Sequence, residues 1–352
     1  MSTHPKKVGF LTFGHWQGGR GSHTPTATEA LTQTIELAVE AEKAGLDGAF
    51  LRVHHFAKHL SAPFPLLAAM AARTQHIELG TAVIDMRYEN PLGMAEEAAI
   101  TDLISGGRLQ LGLSRGSPEQ AYKGYEAFGY IPQDGQSVAD YAKDKTELFR
   151  AAIQGKGMVS ADAGGRPSQA MLPVQPQSAT LQNRIWWGAG TRSTAVWAGE
   201  QGMHLMSSTL MTEDTGVPFG ELQAEQIALF REAWHKAGWV GEPRVSVSRS
   251  ILPITSDFDR YLFGGHADTD QVGILDGARS RFGRSYVGEP DVIAQELQKD
   301  PAVQSADTLL LTVPNQLGVE YNARMLQTIA THIAPSIGWR PASESTEMVE
   351  NA

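Results

Sequence analysis

The sequence predicts an α/β fold, a (β/α)8 TIM-type barrel with insertions in the loops. Eight short apolar stretches with strand character recur along the chain, and stretches with helical character separate them. The competing fold is an open, doubly wound sheet, which requires a GxGxxG turn opening a helix after the first strand. The early glycine cluster at 18–21 does not open a helix directly, so the barrel is favoured.

The first four strand and helix pairs follow one another without a break. Strands are predicted at Val8–Thr12, Gly48–Val53, Ile77–Ile84 and Leu109–Leu113. Helices are predicted at Thr26–Ala44, Pro63–Arg73, Asn90–Ile104 and Val138–Ile153. Gly45 ends the first helix, since glycine adopts the left-handed conformation that closes a helix. Pro63 is acceptable where it stands because the first helical turn tolerates proline.

The second half of the chain repeats the alternation with two interruptions. Strands are predicted at Arg184–Trp187, His204–Met206, Val245–Leu252 and Thr308–Val313, and helices from Ser193 and at Phe219–Lys236, Glu289–Leu297 and Leu317–Ile333. Gly155–Gln177 is rich in Gly, Pro and Ser and is interpreted as an irregular surface excursion. Thr255–Gly288 fits neither helix nor strand well, and we expect a mobile lid over the barrel at 255–288.

Composition limits the class of protein. The chain has 352 residues, and we expect one domain over 1–340 with a disordered tail at 341–352. A net charge of −10 argues against a nucleic-acid partner, and the lack of cysteine excludes thiolate metal sites and a cysteine nucleophile. No apolar run of about 18 residues occurs and the start does not resemble a signal peptide. We therefore expect a cytoplasmic protein without a membrane partner.

Two glycine-containing stretches are suited to an anion. A barrel of this kind places its active site at the carboxyl ends of its strands. Arg115 and Gly116 follow the fourth strand in SGGRLQLGLSRG (Ser105–Gly116), and GAGTRST at Gly188–Thr194 runs from the fifth strand into a helix. Each has a plainer explanation, a surface ion pair for Arg115 and a helix cap at Thr191 or Ser193. Because both lie on one rim, together they predict a ligand with a phosphate.

A histidine pair follows the second strand. Alternate strand positions face opposite sides, so only one of His54 and His55 is expected to face the site. A structural role remains the alternative for either residue. The two are adjacent rather than two residues apart, and no carboxylate lies beside them, so the pattern does not predict a metal site.

Four local patterns, taken in this order and spacing, resemble the bacterial luciferase-like, flavin-dependent monooxygenase family. They are AEKAGLDGAFLRVHHF, IELGTAVI, SGGRLQLGLSRG and IWWGAGTRSTAVWAGEQG, and the resemblance extends from about Lys7 to Pro335. It implies a TIM-type barrel that binds FMN at the strand ends, and a homodimer. Two departures stand out: Val53 replaces a glutamate of the luciferases, and Gln136 replaces a second phosphate-binding arginine, for which Arg192 is a candidate substitute.

The resemblance also implies roles for particular residues. Arg115 would contact the FMN phosphate, with help from Gly190, Thr191 and Thr194. The bond between Ala82 and Val83 matches a cis peptide under the flavin ring, and Ser114 stands beside the flavin. His54 matches the histidine that assists the reaction of flavin with oxygen, and the ordinary pKa of histidine suits that task.

The implied function is a monooxygenase that uses reduced FMN and molecular oxygen to oxidise a small organic substrate through a peroxyflavin. A separate flavin reductase would supply the reduced FMN, since the sequence holds no nicotinamide fingerprint. Three alternatives stay open: a dehydrogenase of the same fold that uses F420, a non-catalytic flavin-binding protein, and a barrel hydrolase. Arg279, Arg281 and Arg284 either meet the substrate or are solvated.

Overall fold

Eight parallel strands close into a barrel in the computed structural model, which describes residues 5–116, 121–213, 215–265, 269–275 and 278–341. Each strand pairs with the next one in chain order, and the last pairs with the first. The strands are β1 Lys7–Thr12, β2 Gly48–Leu51, β3 Glu78–Asp85, β4 Leu109–Ser114, β5 Ile185–Ala189, β6 His204–Ser207, β7 Val245–Arg249 and β8 Thr308–Thr312. The predicted (β/α)8 barrel is confirmed.

Helices surround the barrel. They are α1 Ala27–Lys43, α2 Pro63–Arg73, α3 Pro91–Ser105, α4 Val138–Ile153, α5 Arg192–Glu200, α6 Phe219–Lys236, α7 Asp257–Phe263, α8 Pro290–Lys299, α9 Pro301–Ser305 and α10 Gly318–Thr328. The last continues as a π-helical turn, Ile329–Ile333, and a 3-10 turn, Ala334–Ile337. In the described ranges, no helix combines the length and apolar character that crossing a membrane requires.

The barrel strands are buried on both faces, which explains their nearly continuous apolar sequences. Outward side chains pack against the helices in one large core. A second, smaller cluster fills the inside of the barrel, and its members are Leu11, Phe50, Ala82, Trp186, Met206 and Leu310. The indole N–H of Trp186 donates to Gln110 Oε1 at 2.8 Å, so the polar atom in this interior is satisfied. The filled interior supports the strand ends where a site can form.

Two stretches expected to be irregular contain regular structure. Between 155 and 177, Gly157–Asp162 and Pro167–Pro173 form an antiparallel hairpin. Its residues are mostly exposed, so burial imposes no apolar alternation by which the sequence would show the strands. The expectation of an irregular excursion there was therefore wrong.

The 255–288 stretch also differs from expectation. It contains α7, whose N-cap is Ser256, and the strands Gln271–Leu275, Ala278–Phe282 and Tyr286–Gly288. Ala278–Phe282 pairs with Gln271–Leu275 and with Leu210–Met211, while Tyr286–Gly288 pairs with Ile251–Pro253. The prediction that this stretch fits no helix or strand was wrong, because its elements are short and two of its strands also pair outside the stretch. The predicted tail lies outside the described residues after Pro341.

A buried ion pair joins the barrel to its helical layer. Arg249, the last residue of β7, donates from Nε to Asp300 Oδ2 at 2.8 Å and from Nη2 to Oδ1 at 3.2 Å. Asp300 also caps α9 and accepts from the Tyr286 hydroxyl at 2.6 Å. Burial opposes ionisation of Asp300, but Arg249 and these hydrogen bonds hold its pKa below the ordinary value.

Candidate active site

A cavity of about 360 Å³ opens at the carboxyl ends of the barrel strands. All eight strands contribute to its wall, either by residues within the strand or by the loop that follows it. The lining residues on the strands and just beyond them are Leu11, Arg52, Val53, Ala82, Val83, Asp85, Ser114, Arg115, Gly188, Gly190, Met206, Ser207, Ser246, Ser248 and Leu310. This is the end of a parallel barrel at which active sites form.

One end of the cavity is cationic and rich in hydroxyl groups. Arg115 lies just after β4 and is exposed, and the described part of the chain gives it no carboxylate partner. The end of β6 and the loops after β5 and β6 bring further polar groups to the same wall, namely Gly190, Thr194, Ser207, Ser208, Thr209 and Thr212. One arginine with several hydroxyl and amide donors is a donor set that suits a phosphate group.

In the turn before α5, one residue caps the helix and its neighbours line the cavity. Thr191 is the N-cap of α5 and its Oγ1 accepts from the Thr194 amide at 3.2 Å. Thr191 does not belong to the cavity wall, whereas Gly190 and Thr194 do. The helix-cap interpretation therefore applies to Thr191, and the structure brings only its two neighbours to the cavity.

Arg192 and Gln136 lie away from the cavity wall. Arg192 forms ion pairs with Glu213 at 3.1 Å and with Glu225 at 2.9 Å. Gln136 is half-buried and donates from Nε2 to Asp144 Oδ2 at 2.7 Å. Neither residue supplies a second cation to the wall near Arg115, so the structure does not bring Arg192 to the place expected of a substitute.

The peptide bond between Ala82 and Val83 is cis, at the position that the resemblance implied. Both residues line the cavity on β3, between the Arg115 end and the loop after β2. Gly188 faces them, and a Cβ on Gly188 would lie 3.0 Å from Val83 Cγ1. With Leu11, Met206 and Leu310 these residues make an apolar part of the wall.

Asp85 and Arg87 form a closed pair on the same side of the cavity. The Arg87 Nε donates to both carboxylate oxygens of Asp85 at 2.9 Å, so the pair is neutral overall. Gly116 lies against this pair, with a φ of +91° and a Cβ position that the Arg87 guanidinium already fills. Ser114 Oγ accepts from the Gly116 amide at 3.1 Å. Glycine is required after Arg115 for both conformational and steric reasons.

His54 lies behind the cavity wall rather than in it. β2 ends at Leu51, and Arg52 and Val53 line the cavity instead. The Arg52 Nε donates to His54 Nε2 at 3.2 Å. His59 packs beside His54 with their ring centres 5.2 Å apart, and His15 lies 4.0 Å from His59. The structure therefore connects His54 to the cavity through Arg52.

These histidines are held neutral. Burial, followed by the charge of Arg52, lowers the pKa of His54 to about 4. Burial and the neighbouring His15 and Arg52 lower the pKa of His59 to about 4 as well. Since His54 Nε2 accepts a hydrogen bond, its proton resides on Nδ1. The site therefore gives His54 a pKa well below the near-neutral value of an ordinary histidine.

His55 does not line the cavity either, and strand alternation does not apply to the two histidines because β2 ends at Leu51. Its ring stacks on Tyr88 with centres 4.2 Å apart. Burial lowers the pKa of His55 although Asp85 opposes the shift. Among the residues that the structure describes, its buried Nε2 has no hydrogen-bond partner, and no three His, Asp or Glu side chains could hold a metal ion.

Arg281 and Arg284, in the 255–288 stretch, do not line the cavity at the strand ends. Arg281 forms an ion pair with Asp270 at 3.6 Å, and Arg284 forms one with Glu296 at 3.1 Å. Both line a separate surface pocket next to Arg249 and Asp300. The side chain of Arg279 lies outside the described part of the structure.

Two parts of the wall are not among the site residues predicted from the sequence. One is Arg52, for which the signal is an arginine near the end of an otherwise apolar strand. The other is the hydroxyl-rich run Ser207–Thr209, which begins at the last residue of β6. Ser207–Thr209 could have been found from the sequence by examining the end of the sixth strand as well, because each strand of a closed barrel ends at the same rim.

The closed barrel of eight parallel strands, with a cavity at their carboxyl ends, defines the class of protein as an α/β barrel. A family model described as luciferase-like monooxygenase matches residues 8–257. The match covers more than half of the chain, which therefore belongs to the luciferase-like monooxygenase family.

Individual relatives are similar over varying lengths. The oxygenase component of a flavin-dependent trigonelline monooxygenase from Acinetobacter baylyi is 34% identical over 116 residues, which is 32% of each chain. The matches to the first curated relatives span between 32% and 56% of their length.

Solved structures share the fold. The oxygenating constituent of 3,6-diketocamphane monooxygenase from Pseudomonas putida, in complex with FMN, has a TM-score of 0.68 and 16% identity, with 96% of this chain and 100% of that one covered. An F420-dependent tetrahydromethanopterin reductase from Methanopyrus kandleri has a TM-score of 0.63 and 14% identity, with 95% and 100% covered.

Proposed function

We propose that the protein is a monooxygenase that binds FMN at the barrel mouth and uses reduced FMN with molecular oxygen to oxidise a small organic substrate. The observation that carries the proposal is the composition of one cavity. It combines a phosphate-type donor set around Arg115 with an apolar wall at the cis bond between Ala82 and Val83. The family, and the FMN bound to the diketocamphane enzyme, support the same cofactor.

The residues present fit FMN at both ends of the cavity. Arg115 and the groups of Gly190, Thr194, Ser208 and Thr209 would hold the phosphate. The apolar wall would hold the flavin ring, and its members are Leu11, Ala82, Val83, Met206 and Leu310. Ser114 lies between the two regions on β4, at the place the resemblance gives to a residue beside the flavin.

When bound, reduced FMN supplies the electrons that activate oxygen. The chain supplies binding, orientation and exclusion of water from an apolar wall. In this proposal His54 lies behind the wall and acts on the cavity through Arg52. Its Nε2 accepts a hydrogen bond from Arg52, and its Nδ1 holds a proton. Its low pKa keeps it a neutral hydrogen-bond partner at neutral pH.

We also propose that a separate reductase delivers reduced FMN to a cytoplasmic homodimer. The sequence contains no nicotinamide fingerprint, which supports an external source of electrons. The trigonelline relative is named as the oxygenase component of its enzyme, which supports a two-component system. The 255–288 stretch, which includes α7, would form a lid over the bound flavin.

A dehydrogenase that uses F420 is the second candidate, because the tetrahydromethanopterin reductase with this fold depends on that cofactor. A flavin-binding protein without turnover is the third. The donor set around Arg115 favours FMN over a purely apolar ligand, but it would also suit the phosphate of another flavin cofactor.

One set of titrations tests the function. The purified protein is titrated with FMN, with reduced FMN under anaerobic conditions, and with F420, and oxygen is then admitted. We expect binding of FMN and an oxygen uptake that differs from that of free reduced FMN. Reduction of F420 without oxygen uptake would identify the dehydrogenase instead, and uptake equal to that of free reduced FMN would indicate flavin binding without turnover.

A further inference from the structure

Arg52 is a cation in the cavity wall with few partners. It follows β2 directly, where the chain leaves the barrel sheet. Its Nε donates to His54 Nε2, and its guanidinium carbon lies 5.6 Å from the centre of the Phe13 ring. A histidine nitrogen and an aromatic face are both neutral, so neither balances the charge of Arg52.

The described residues supply no carboxylate to Arg52. No ion pair and no second side-chain hydrogen bond involves it there, so its two terminal amino groups lack acceptors in that part of the chain. Burial lowers the pKa of Arg52, yet a guanidinium keeps its proton at neutral pH. A half-buried charge without an opposite charge beside it is costly unless a partner reaches it.

Among the described residues, the side chains around Arg52 offer it no unpaired negative charge. His54, His59 and His15 all have lowered pKa values, so they stay neutral rather than compete for an anion. Asp85 lies on the neighbouring strand, but Arg87 already engages both of its oxygens. An anion that enters the cavity would therefore meet Arg52 as an available cation.

Arg52 is also distinct from the proposed phosphate end. Arg115, Gly190, Thr194 and the residues after β6 occupy the loops after β4, β5 and β6, whereas Arg52 follows β2. The strand between them in the barrel is β3. It carries the cis bond between Ala82 and Val83, which belong to the apolar wall. One cavity therefore has two cationic ends, and a single phosphate occupies only one of them.

From this arrangement we infer that the substrate is a small carboxylic acid whose carboxylate pairs with Arg52. The inference rests on the proposed function, because it assigns the Arg115 end to the FMN phosphate. A planar guanidinium matches a carboxylate with two parallel hydrogen bonds. Leu11 and Val53 lie beside Arg52 in the wall and would contact the apolar body of such an acid.

Matched acids and amides test the inference. Calorimetric titrations on the FMN-saturated protein compare benzoate with benzamide, phenylacetate with phenylacetamide, and hexanoate with hexanamide. Each pair has nearly the same shape and differs in charge. We expect at least one acid to bind about 10- to 100-fold more tightly than its amide, the range that charge-assisted hydrogen bonds give.

Two variants connect that preference with Arg52. Arg52→Met is expected to abolish it and Arg52→Lys to retain part of it, with FMN affinity within about twofold of wild type in both. Arg73→Met, at an exposed arginine, controls for a general loss of positive charge. If Arg52→Met loses the circular dichroism spectrum of the folded protein, Arg52→Gln takes its place.

Three outcomes would overturn the inference. They are an absence of acid preference in all three pairs, a preference that survives Arg52→Met or Arg52→Gln, and a loss of FMN affinity in the folded Arg52 variants. The last would assign Arg52 to the flavin. A wild-type protein that does not bind FMN would instead refute the proposed function, so the two failures are distinguishable.

Discussion

At the scale of single residues, the histidines beside Arg52 predict how stability depends on pH. His54 and His59 have folded pKa values of about 4, below the ordinary 6.5. The unfolded chain therefore binds more protons between these values, and stability present above pH 6.5 is lost as the pH falls toward 4. We expect each histidine to contribute about 1 kcal/mol to that loss, after allowance for solvent screening.

The measurement is urea unfolding at pH 7.0 and pH 4.5. Carboxylates also titrate in this window and contribute to the loss in every protein. The quantity compared is therefore the decrease in the free energy of unfolding from pH 7.0 to pH 4.5, in wild type and in His54→Asn and His59→Asn. Both variants should lose less free energy of unfolding than wild type does. The control His76→Asn, at an exposed histidine, should lose as much as wild type. Equal losses in all four proteins would contradict the lowered pKa values.

A second prediction at this scale concerns Gly116. Gly116→Ala places a side chain at a φ of +91° and against the Arg87 guanidinium, which Asp85 fixes. We expect a loss of about 1–3 kcal/mol in the free energy of unfolding and weaker FMN binding. Gly135→Ala is the matched control, since Gly135 has a φ of +80° but open space around its Cβ position. A loss no larger than that of Gly135→Ala would show that Arg87 does not restrict this position.

The residues also show what the sequence could predict. Arg115 could be placed at the strand-end rim because it directly follows a strand whose apolar pattern is unambiguous. The cis bond between Ala82 and Val83 was implied by the family resemblance and not by the strand pattern. Arg52 and His54 could not, because β2 ends at Leu51 rather than at Val53. Strand alternation stops there, and the direction of each later side chain depends on tertiary contacts that the local pattern does not contain.

At the scale of elements, Arg249 and Asp300 link β7 to the start of α9. Arg249→Met would leave the carboxylate of Asp300 buried without its cation, and breaking a buried pair in this way costs about 3–5 kcal/mol. Urea unfolding at neutral pH measures the loss. Lys236→Met removes one partner of an exposed pair and should cost below about 1 kcal/mol. Similar losses in both variants would contradict the structural role of the buried pair.

The elements differ in how readily sequence shows them. Barrel strands are covered on both sides, so their near-continuous apolar runs identify them. The 157–173 hairpin pairs mainly with itself and stays largely exposed, so burial leaves no pattern in its sequence. Of the strands between 271 and 288, Ala278–Phe282 and Tyr286–Gly288 pair with segments outside this stretch of sequence, and such partners are visible only in three dimensions.

At the scale of the whole molecule, closure of the barrel brings the site together. Arg115, Thr194 and Ser208 are far apart in sequence but line one cavity, because β4, β5 and β6 are neighbours that end at the same rim. The central claim is that this cavity holds FMN with its phosphate at the Arg115 end.

The most direct test of that claim compares FMN with riboflavin, which lacks the phosphate, in fluorescence titrations of wild type and Arg115→Ala. We expect wild type to bind FMN more tightly than riboflavin. We expect Arg115→Ala to weaken FMN binding by about 1.5–3 kcal/mol and to leave riboflavin binding nearly unchanged, because only the phosphate loses a charge-assisted hydrogen bond. Equal affinities for the two flavins in wild type, or equal effects of the substitution on both, would contradict it.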